Sequence, residues 1–379
     1  MTRSAIAILS TQNLHHNLEI IKKKVPGSGI IAMVKANAYG HGIRSVAKRL
    51  CGKVSLFGVA SIDEALALRK VGIKDPILLS EGVFEPNELV LASVEGFHVV
   101  FHEHTQLEWL KNASLPLLLN AWIKVDTGMG RLGFFPKDIP YVFELLKNSK
   151  KIAHSIPLIS HLACSDEKGH PLNAQQIQCF EELARSFDVP KTLCSAAGIF
   201  NFPQQAYQFV RPGIALYGVS PILGQTALDL DLKPVITLRT SLIAVREVPA
   251  GTSIGYGATY RCTKNTLLGV IAFGYGDGYP RSAPTGTPVL IHGKRCPIIG
   301  RISMDMITVD LSDCPKAQVG DCVILFGEGL LVEEVARCHI NESPYALITN
   351  VQHRVRFHWT NEQEGDILTM NNLISNSSV

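Results

Sequence analysis

The sequence has no C-x-x-C pair, although it holds nine cysteines: Cys51, Cys164, Cys179, Cys194, Cys262, Cys296, Cys314, Cys322 and Cys338. An odd, dispersed set without that spacing argues against a zinc site and against a disulfide framework. Thiols kept reduced in the cytoplasm fit best. No apolar stretch nears the roughly 20 residues that span a bilayer. No signal peptide is expected, because Thr2, Arg3 and Ser4 precede only the short apolar run Ala5 to Leu9. Charge of one sign is scarce. The net charge of +3 over 379 residues is too small to imply a nucleic-acid or membrane partner. The densest basic run, Lys22-Lys23-Lys24, reads as a solvated helix end, where cations complement the dipole. There is no low-complexity tract and no repeat between the halves. No G-x-G-x-x-G follows the first strand, which removes the main mark of a dinucleotide-binding sheet.

What remains is an ordinary globular composition, 46% hydrophobic and 18% charged, in a chain long enough for two domains. Short apolar runs alternate with helical periodicity up to about residue 215. The strand candidates are Gly29–Val34, Leu56–Ala60, Pro76–Ser80, Phe97–Phe101, Leu117–Val125, Ile156–His161, Thr192–Ser195 and Phe209–Ile214. Leu14, Leu18, Ile21 and Val25 recur on one helix face, and Ser61 with Glu64 reads as a capping box. Such alternation gives parallel βαβ units. Eight of them close a (β/α)8 TIM-type barrel, with a doubly wound open sheet as the alternative. Past a linker at Asp229–Pro234, strands follow one another with turn signals and a single helix candidate, Leu330–His339. The expected fold is α/β: an N-terminal barrel over residues 1–230 and a C-terminal mostly-β domain over 231–379.

In such a barrel the reactive residues sit at the C-terminal ends of the strands. Lys35 ends the first strand, Lys124, Asp126 and Arg131 follow the fifth, His161 ends the sixth, Ser195 the seventh, and Arg211 with Gly213 lies in the eighth. Each alone reads equally as a loop or cap residue; their gathering at one rim is the signal. A lysine in an apolar pocket loses part of its charge preference and becomes a nucleophile for a Schiff base. The alternative is a lysine that snorkels from a strand end. Ser195-Ala-Ala and Arg211-Pro-Gly213-Ile214 lie where this architecture binds phosphate. An aldehyde-bearing phosphate cofactor held between them and Lys35 is pyridoxal phosphate.

The blocks VKANAYGHG (34–42), KVDTGMGRLG (124–133), SHLACSD (160–166), VRPGIALYG (210–218), GYGATY (255–260), FGYGDGYPR (273–281) and GRISMDM (300–306) resemble, in order, those of the alanine racemases. The resemblance spans nearly the whole chain. It implies a homodimer whose active sites are shared between one barrel and the partner's β domain, acting on alanine and supplying D-alanine for peptidoglycan. Lys35 would hold pyridoxal 5'-phosphate and serve as the base on the D-alanine side, with Tyr256 on the opposite face. Arg211 would meet the cofactor's ring nitrogen, while Tyr39, Ser195 and the backbone at Gly213 and Ile214 would bind its phosphate. Arg131 and the backbone at Met304 would hold the substrate carboxylate. His161 would support Tyr256, and Tyr275 and Asp305 would line the substrate entryway. Lys124 would be carbamylated or, alternatively, paired with Asp126. A tyrosine of the family's phosphate site is expected directly before an Arg-Val-Pro-Arg string; here His353 precedes Arg354-Val355, and no role is carried over. His41 has no role either.

Other readings stay open beside this one. A broader or serine-preferring racemase, a non-catalytic pyridoxal phosphate protein and a decarboxylase of similar plan would each differ, the last two in lacking a reason for Tyr256. His98, His102 and His104 have the look of a metal cluster, but the strand is expected to end near Phe101, so no metal site is expected.

Overall fold

The structure is a computed structural model that describes residues 3–338 and 343–360. The first strand, β1 (Ile6–Ser10), was not visible as one in the sequence. Eight strands then form the barrel: β2 (Gly29–Met33), β3 (Leu56–Val59), β4 (Ile77–Leu79), β5 (His98–Phe101), β6 (Asn120–Lys124), β7 (Leu158–Ile159), β8 (Lys191–Thr192) and β9 (Phe209–Val210). Every pairing among them is parallel, in the order β8-β7-β6-β5-β4-β3-β2-β9. A parallel bridge between Ser195 and Arg211 joins the two ends of the order. The closed barrel thus replaces the open-sheet alternative.

Two apolar layers hold the barrel. Ile31, Met33, Leu56, Leu78, Val100, Trp122 and Ile159 fill its interior as a separate cluster. The alternate residues of the same strands face the surrounding helices in the main core. The helix Thr11–Lys24 shows why the periodicity was readable. Leu14, Leu18 and Ile21 are buried, Ser10 caps its start by accepting from the Asn13 N–H, and the three lysines occupy the last turn.

The rest of the chain is mostly strand: β10 (Ile236–Val248), β11 (Ser253–Ile254), β12 (Tyr260–Arg261), β13 (Thr266–Ile271), β14 (Pro288–Ile291), β15 (Lys294–Pro297), β16 (Ile307–Asp310), β17 (Cys322–Phe326) and β18 (Arg356–Thr360). Most form one sheet along the path β15-β14-β17-β10-β1-β18, with β13 branching from β10 and β16 pairing with β13. Residues 6–10, counted with the barrel in the division at 230, therefore lie between β10 and β18. The chain starts in the β domain, builds the barrel, and returns. A further helix, Pro344–Thr349, packs against the turn that follows β2. Among the described residues no helix is long and apolar enough to cross a membrane.

Candidate active site

Strand parity places the polar residues. Side chains alternate between the two faces of a strand. Lys124 stands two residues beyond the inward Trp122, His161 two beyond Ile159, Arg211 two beyond Phe209, and Lys35 two beyond Met33. All four line one cavity of about 610 Å³ at the C-terminal rim, together with Tyr39, Glu81, Arg131, Asp166, Ser195, Gly213, Ile214 and Tyr345. That volume lies in the usual range for a small-molecule site.

The turn after Lys35 has an unusual hand. Ala36, Asn37, Ala38 and Tyr39 have φ of 51, 53, 55 and 52°, all left-handed and none glycine. Each such residue costs about 1–2 kcal/mol, so the surroundings must over-determine the turn. Its bonds are named residues. The Ala38 N–H donates to Val34 O (2.8 Å), Gly40 N–H to Ala36 O (3.1 Å) and Gly42 N–H to Asn37 O (2.9 Å). The Ile43 N–H donates to Asn37 Oδ1 at 2.9 Å. Glu64 shows how a local signal was diverted. No capping hydrogen bond forms at the Ser61 side chain. Glu64 instead accepts from the Ala36 N–H (2.7 Å) and the Ala60 N–H (2.8 Å).

The cavity carries four cationic residues against two carboxylates, so it favours anions. Lys35 is 38% exposed and its Nζ lies 3.3 Å from Glu81 Oε1. Arg211 is buried, donating to Thr192 Oγ1 (2.7 Å) and to the carbonyls of Ser160 (2.5 Å) and Leu193 (3.2 Å). Burial lowers its pKa to about 10, so it stays charged at neutral pH. Its Nη2 also lies 3.4 Å from His161 Nδ1. Burial, then Arg211, Lys124, Arg131 and Lys35, push the His161 pKa well below its usual value, so this imidazole is neutral. Lys124 is lowered to about 8, by burial first and by Arg211, Arg131 and Lys35 after it. The Asp126 carboxylate turns away to accept from the N–H groups of Gly128, Met129 and Gly130. It shapes the loop that carries Arg131.

Tyr39, Ser195, Gly213 and Ile214 line the same cavity. Ser195 stands at the N-cap position of the helix Ala196–Asn201 but its side chain makes no capping bond, and the first N–H groups of the helix have no intrahelical partner. A Cβ on Gly213 would fall 2.3 Å from Tyr39 Oη, so only glycine lets that hydroxyl lie against the backbone after β9. Burial pushes the Tyr39 pKa up to about 12, which keeps its hydroxyl a proton donor.

Several expected residues are placed elsewhere. Tyr256, Met304 and Tyr275 are 68, 52 and 38% exposed, on the β domain, and neither they nor Asp305 line this cavity. His353 is exposed in a turn and does not line it. Besides Tyr39, the cavity is lined by Tyr345, eight residues before His353, with its ring centroid 6.2 Å from that of Tyr39. The Arg354-Val355 string does not point to Tyr345; the signal for that tyrosine in the sequence is the Ser343-Pro344 helix start. His98, His102 and His104 have separate partners: Trp122 Nε1, the Glu81 carbonyl and the Phe134 ring. Among the described residues no three metal-ligating side chains gather.

A (β/α)8 barrel with an amine and a buried guanidinium at its rim, joined to a β domain, has the layout of a small-molecule enzyme. The comparisons give the family. The alanine racemase N-terminal domain profile matches residues 9–221, and the alanine racemase C-terminal domain profile matches residues 235–359. The alanine racemase of Shewanella woodyi is 44% identical over 349 residues, covering 92% of this chain and 97% of its own. The crystal structure of the biosynthetic alanine racemase from Pseudomonas aeruginosa superposes with a TM-score of 0.92 at 40% identity, covering 95% of this chain and all of that one. The alanine racemase from Bartonella henselae, described with covalently bound pyridoxal phosphate, superposes with a TM-score of 0.83 at 30% identity, covering 94% of this chain and 99% of that one. The chain belongs to the alanine racemase family.

Proposed function

We propose that this protein interconverts L- and D-alanine with pyridoxal phosphate held at the barrel rim. The observation that carries this reading is the meeting of Lys35, Tyr39, Ser195 and Arg211 in one cavity. The residues fit the cofactor. Lys35 supplies the amine for its aldehyde, and Arg211 a donor for its ring nitrogen. Tyr39, Ser195, Tyr345 and the backbone at Gly213 and Ile214 form the seat of its phosphate. The close approach of Tyr39 Oη to Gly213 supports that reading of the seat.

Pyridoxal phosphate, when bound, supplies the electron sink that makes the α-proton of an amino acid removable. Inversion then needs two residues that move protons on opposite faces. Lys35 Nζ serves one face. Tyr256 Oη serves the other, and it reaches the cavity of a second copy of the chain in a homodimer. Its exposure and its absence from its own chain's cavity support that arrangement. A phenol is a weak base near its ordinary pKa of about 10. Arg211 can only donate, so the neutral His161 accepts at Nδ1 and carries its proton on Nε2; that N–H can donate to the Tyr256 oxygen and help hold it deprotonated. Arg211 offers a hydrogen bond and not a proton, because a guanidinium hardly deprotonates. Arg131 and the backbone at Met304 hold the substrate carboxylate, while Tyr275 and Asp305 flank the entryway. Lys124, with its lowered pKa, is the carbamylation site that orients Arg131.

The test is racemisation of each alanine enantiomer, with pyridoxal phosphate added and removed. Lys35→Ala and Tyr256→Phe should each lose nearly all activity. Mixed dimers of the two variants should regain part of it, since one of their sites holds both intact residues. Exchange that persists without the cofactor, or a native protein that racemises nothing, would sink the reading. Verified mixed dimers without any rescue would sink the shared site alone.

A further inference from the structure

His41 is wholly buried yet bonds no substrate-like group. Its Nδ1 lies 2.9 Å from the Tyr39 carbonyl. A carbonyl only accepts, so Nδ1 carries the proton. The Nε2 has no hydrogen-bond partner among the described residues. The His41 ring packs on Tyr217 with centroids 4.6 Å apart, and Tyr217 stacks on Tyr39 at 5.1 Å. The Tyr217 hydroxyl donates to the Met33 carbonyl at the end of β2 (2.9 Å).

These contacts lie at one end of the left-handed turn. At the other end the Ala36 N–H, the first of the turn, donates to Glu64 Oε1 at 2.7 Å. Glu64 is itself anchored by the Ala60 N–H at the end of β3. The strained residues 36–39 are thus closed at both ends by side chains from outside the turn. The N-terminal end is held by Glu64 and the C-terminal end by His41.

We propose that His41 and Glu64 are positioning residues that hold the left-handed turn and so aim Lys35 and Tyr39 at the cofactor. This rests on reading Lys35 as the cofactor lysine. The clamp acts through the turn and touches neither substrate nor cofactor. Relaxing it lets residues 36–39 return toward the ordinary hand, which swings the Tyr39 hydroxyl off Gly213. Asparagine at 41 keeps a short amide donor for the Tyr39 carbonyl, whereas leucine keeps volume alone. Glutamine at 64 keeps one acceptor oxygen for Ala36, and alanine keeps none.

The test uses full-length protein stripped with hydroxylamine and titrated with pyridoxal phosphate, following the visible absorbance of the lysine adduct. His41→Leu and Glu64→Ala should weaken cofactor binding at least tenfold, with far-ultraviolet circular dichroism unchanged. His41→Asn and Glu64→Gln should stay within threefold of native. At saturating cofactor, kcat should fall in the first pair while KM for alanine holds. Should His41→Leu fail to fold, the partly exposed Glu64 decides through its own two variants. Native affinity in Glu64→Ala, or a loss of melting temperature alone in both damaging variants, would overturn the clamp. A native protein that gives no lysine adduct would instead overturn the reading of Lys35.

Discussion

Replacing Gly40 by alanine asks how firmly the lysine turn is locked to the β domain. Gly40 ends the left-handed turn with φ of +82°. A Cβ there would lie 2.1 Å from the Ile348 carbonyl oxygen and 3.1 Å from Thr349 Cα. Both belong to the helix Pro344–Thr349, which carries Tyr345 into the cavity. The left-handed backbone costs an alanine about 1 kcal/mol. The obstacle is backbone, so no rotamer change relieves it, and the helix must retreat by about 1.4 Å to reach an ordinary contact near 3.5 Å. Overpacking of this kind adds about 1–3 kcal/mol, for a total of roughly 2–4 kcal/mol. Gly96 is the control. It too ends a helix in the left-handed region, at φ +66°, but a Cβ there meets nothing within 4 Å. Gly96→Ala should pay only the backbone cost of about 1 kcal/mol. Urea unfolding of both variants isolates the clash as their difference, and cofactor titration should show weaker binding in Gly40→Ala alone. Equal midpoints with equal cofactor affinity would refute the lock.

Tyr345→Phe should weaken cofactor binding several-fold, whereas His353→Ala should leave it unchanged; titration of the stripped protein separates the two positions. Lys124 should form a carbamate in ¹³C-bicarbonate, visible by ¹³C NMR and missing in Lys124→Gln. Only the neutral amine reacts, so with a pKa of about 8 the reactive fraction climbs from about 1% at pH 6 to about 90% at pH 9. The same lowered pKa makes the unfolded chain bind the extra proton between about 8 and the usual lysine value. This group's contribution to stability should therefore rise with pH across that window.

What the sequence made legible follows from periodicity. Strand alternation put Lys124, His161 and Arg211 on the same face as Trp122, Ile159 and Phe209, because the step of two holds for any strand. The helix Thr11–Lys24 was readable because its apolar stripe and its cap are local. The left-handed turn was not readable. Ala36 to Tyr39 include no glycine, so nothing in the residue types announces φ above zero, and tertiary bonds from Glu64 and His41 impose it. Strand β1 was missed because five residues between polar neighbours carry little pattern, and its partner in β10 lies more than two hundred residues away. Tyr345 was missed because its helix has only six residues, and its place in the cavity comes from contact with the barrel.

The division of labour between the two domains has a geometric reason. The parallel barrel brings Lys35, Lys124, His161 and Arg211 to one rim, where they line a single cavity. Inversion at carbon needs a second proton-moving residue from the opposite side, where a barrel has no strand to offer. The β domain can carry such a residue, but the chain's own Tyr256 stands 68% exposed on a 3-10 turn outside its own cavity. Met304 and Met306, 52 and 46% exposed, lie on a loop that is itself well held. The Tyr275 and Gly276 N–H groups donate to the carbonyls of Ser303 and Met304. Asp305 is gripped by Arg3 (2.9 Å) and by Arg354. Met304 and Met306 on this fixed loop offer an apolar face that the proposed second copy can cover. The proposed second copy supplies that cover and brings the opposite-face phenol with it. In the proposed dimer one interface would bury the apolar loop and bring the second proton-moving residue to the site. For that reason the mixed-dimer experiment and the racemisation assay test the same surface from two directions.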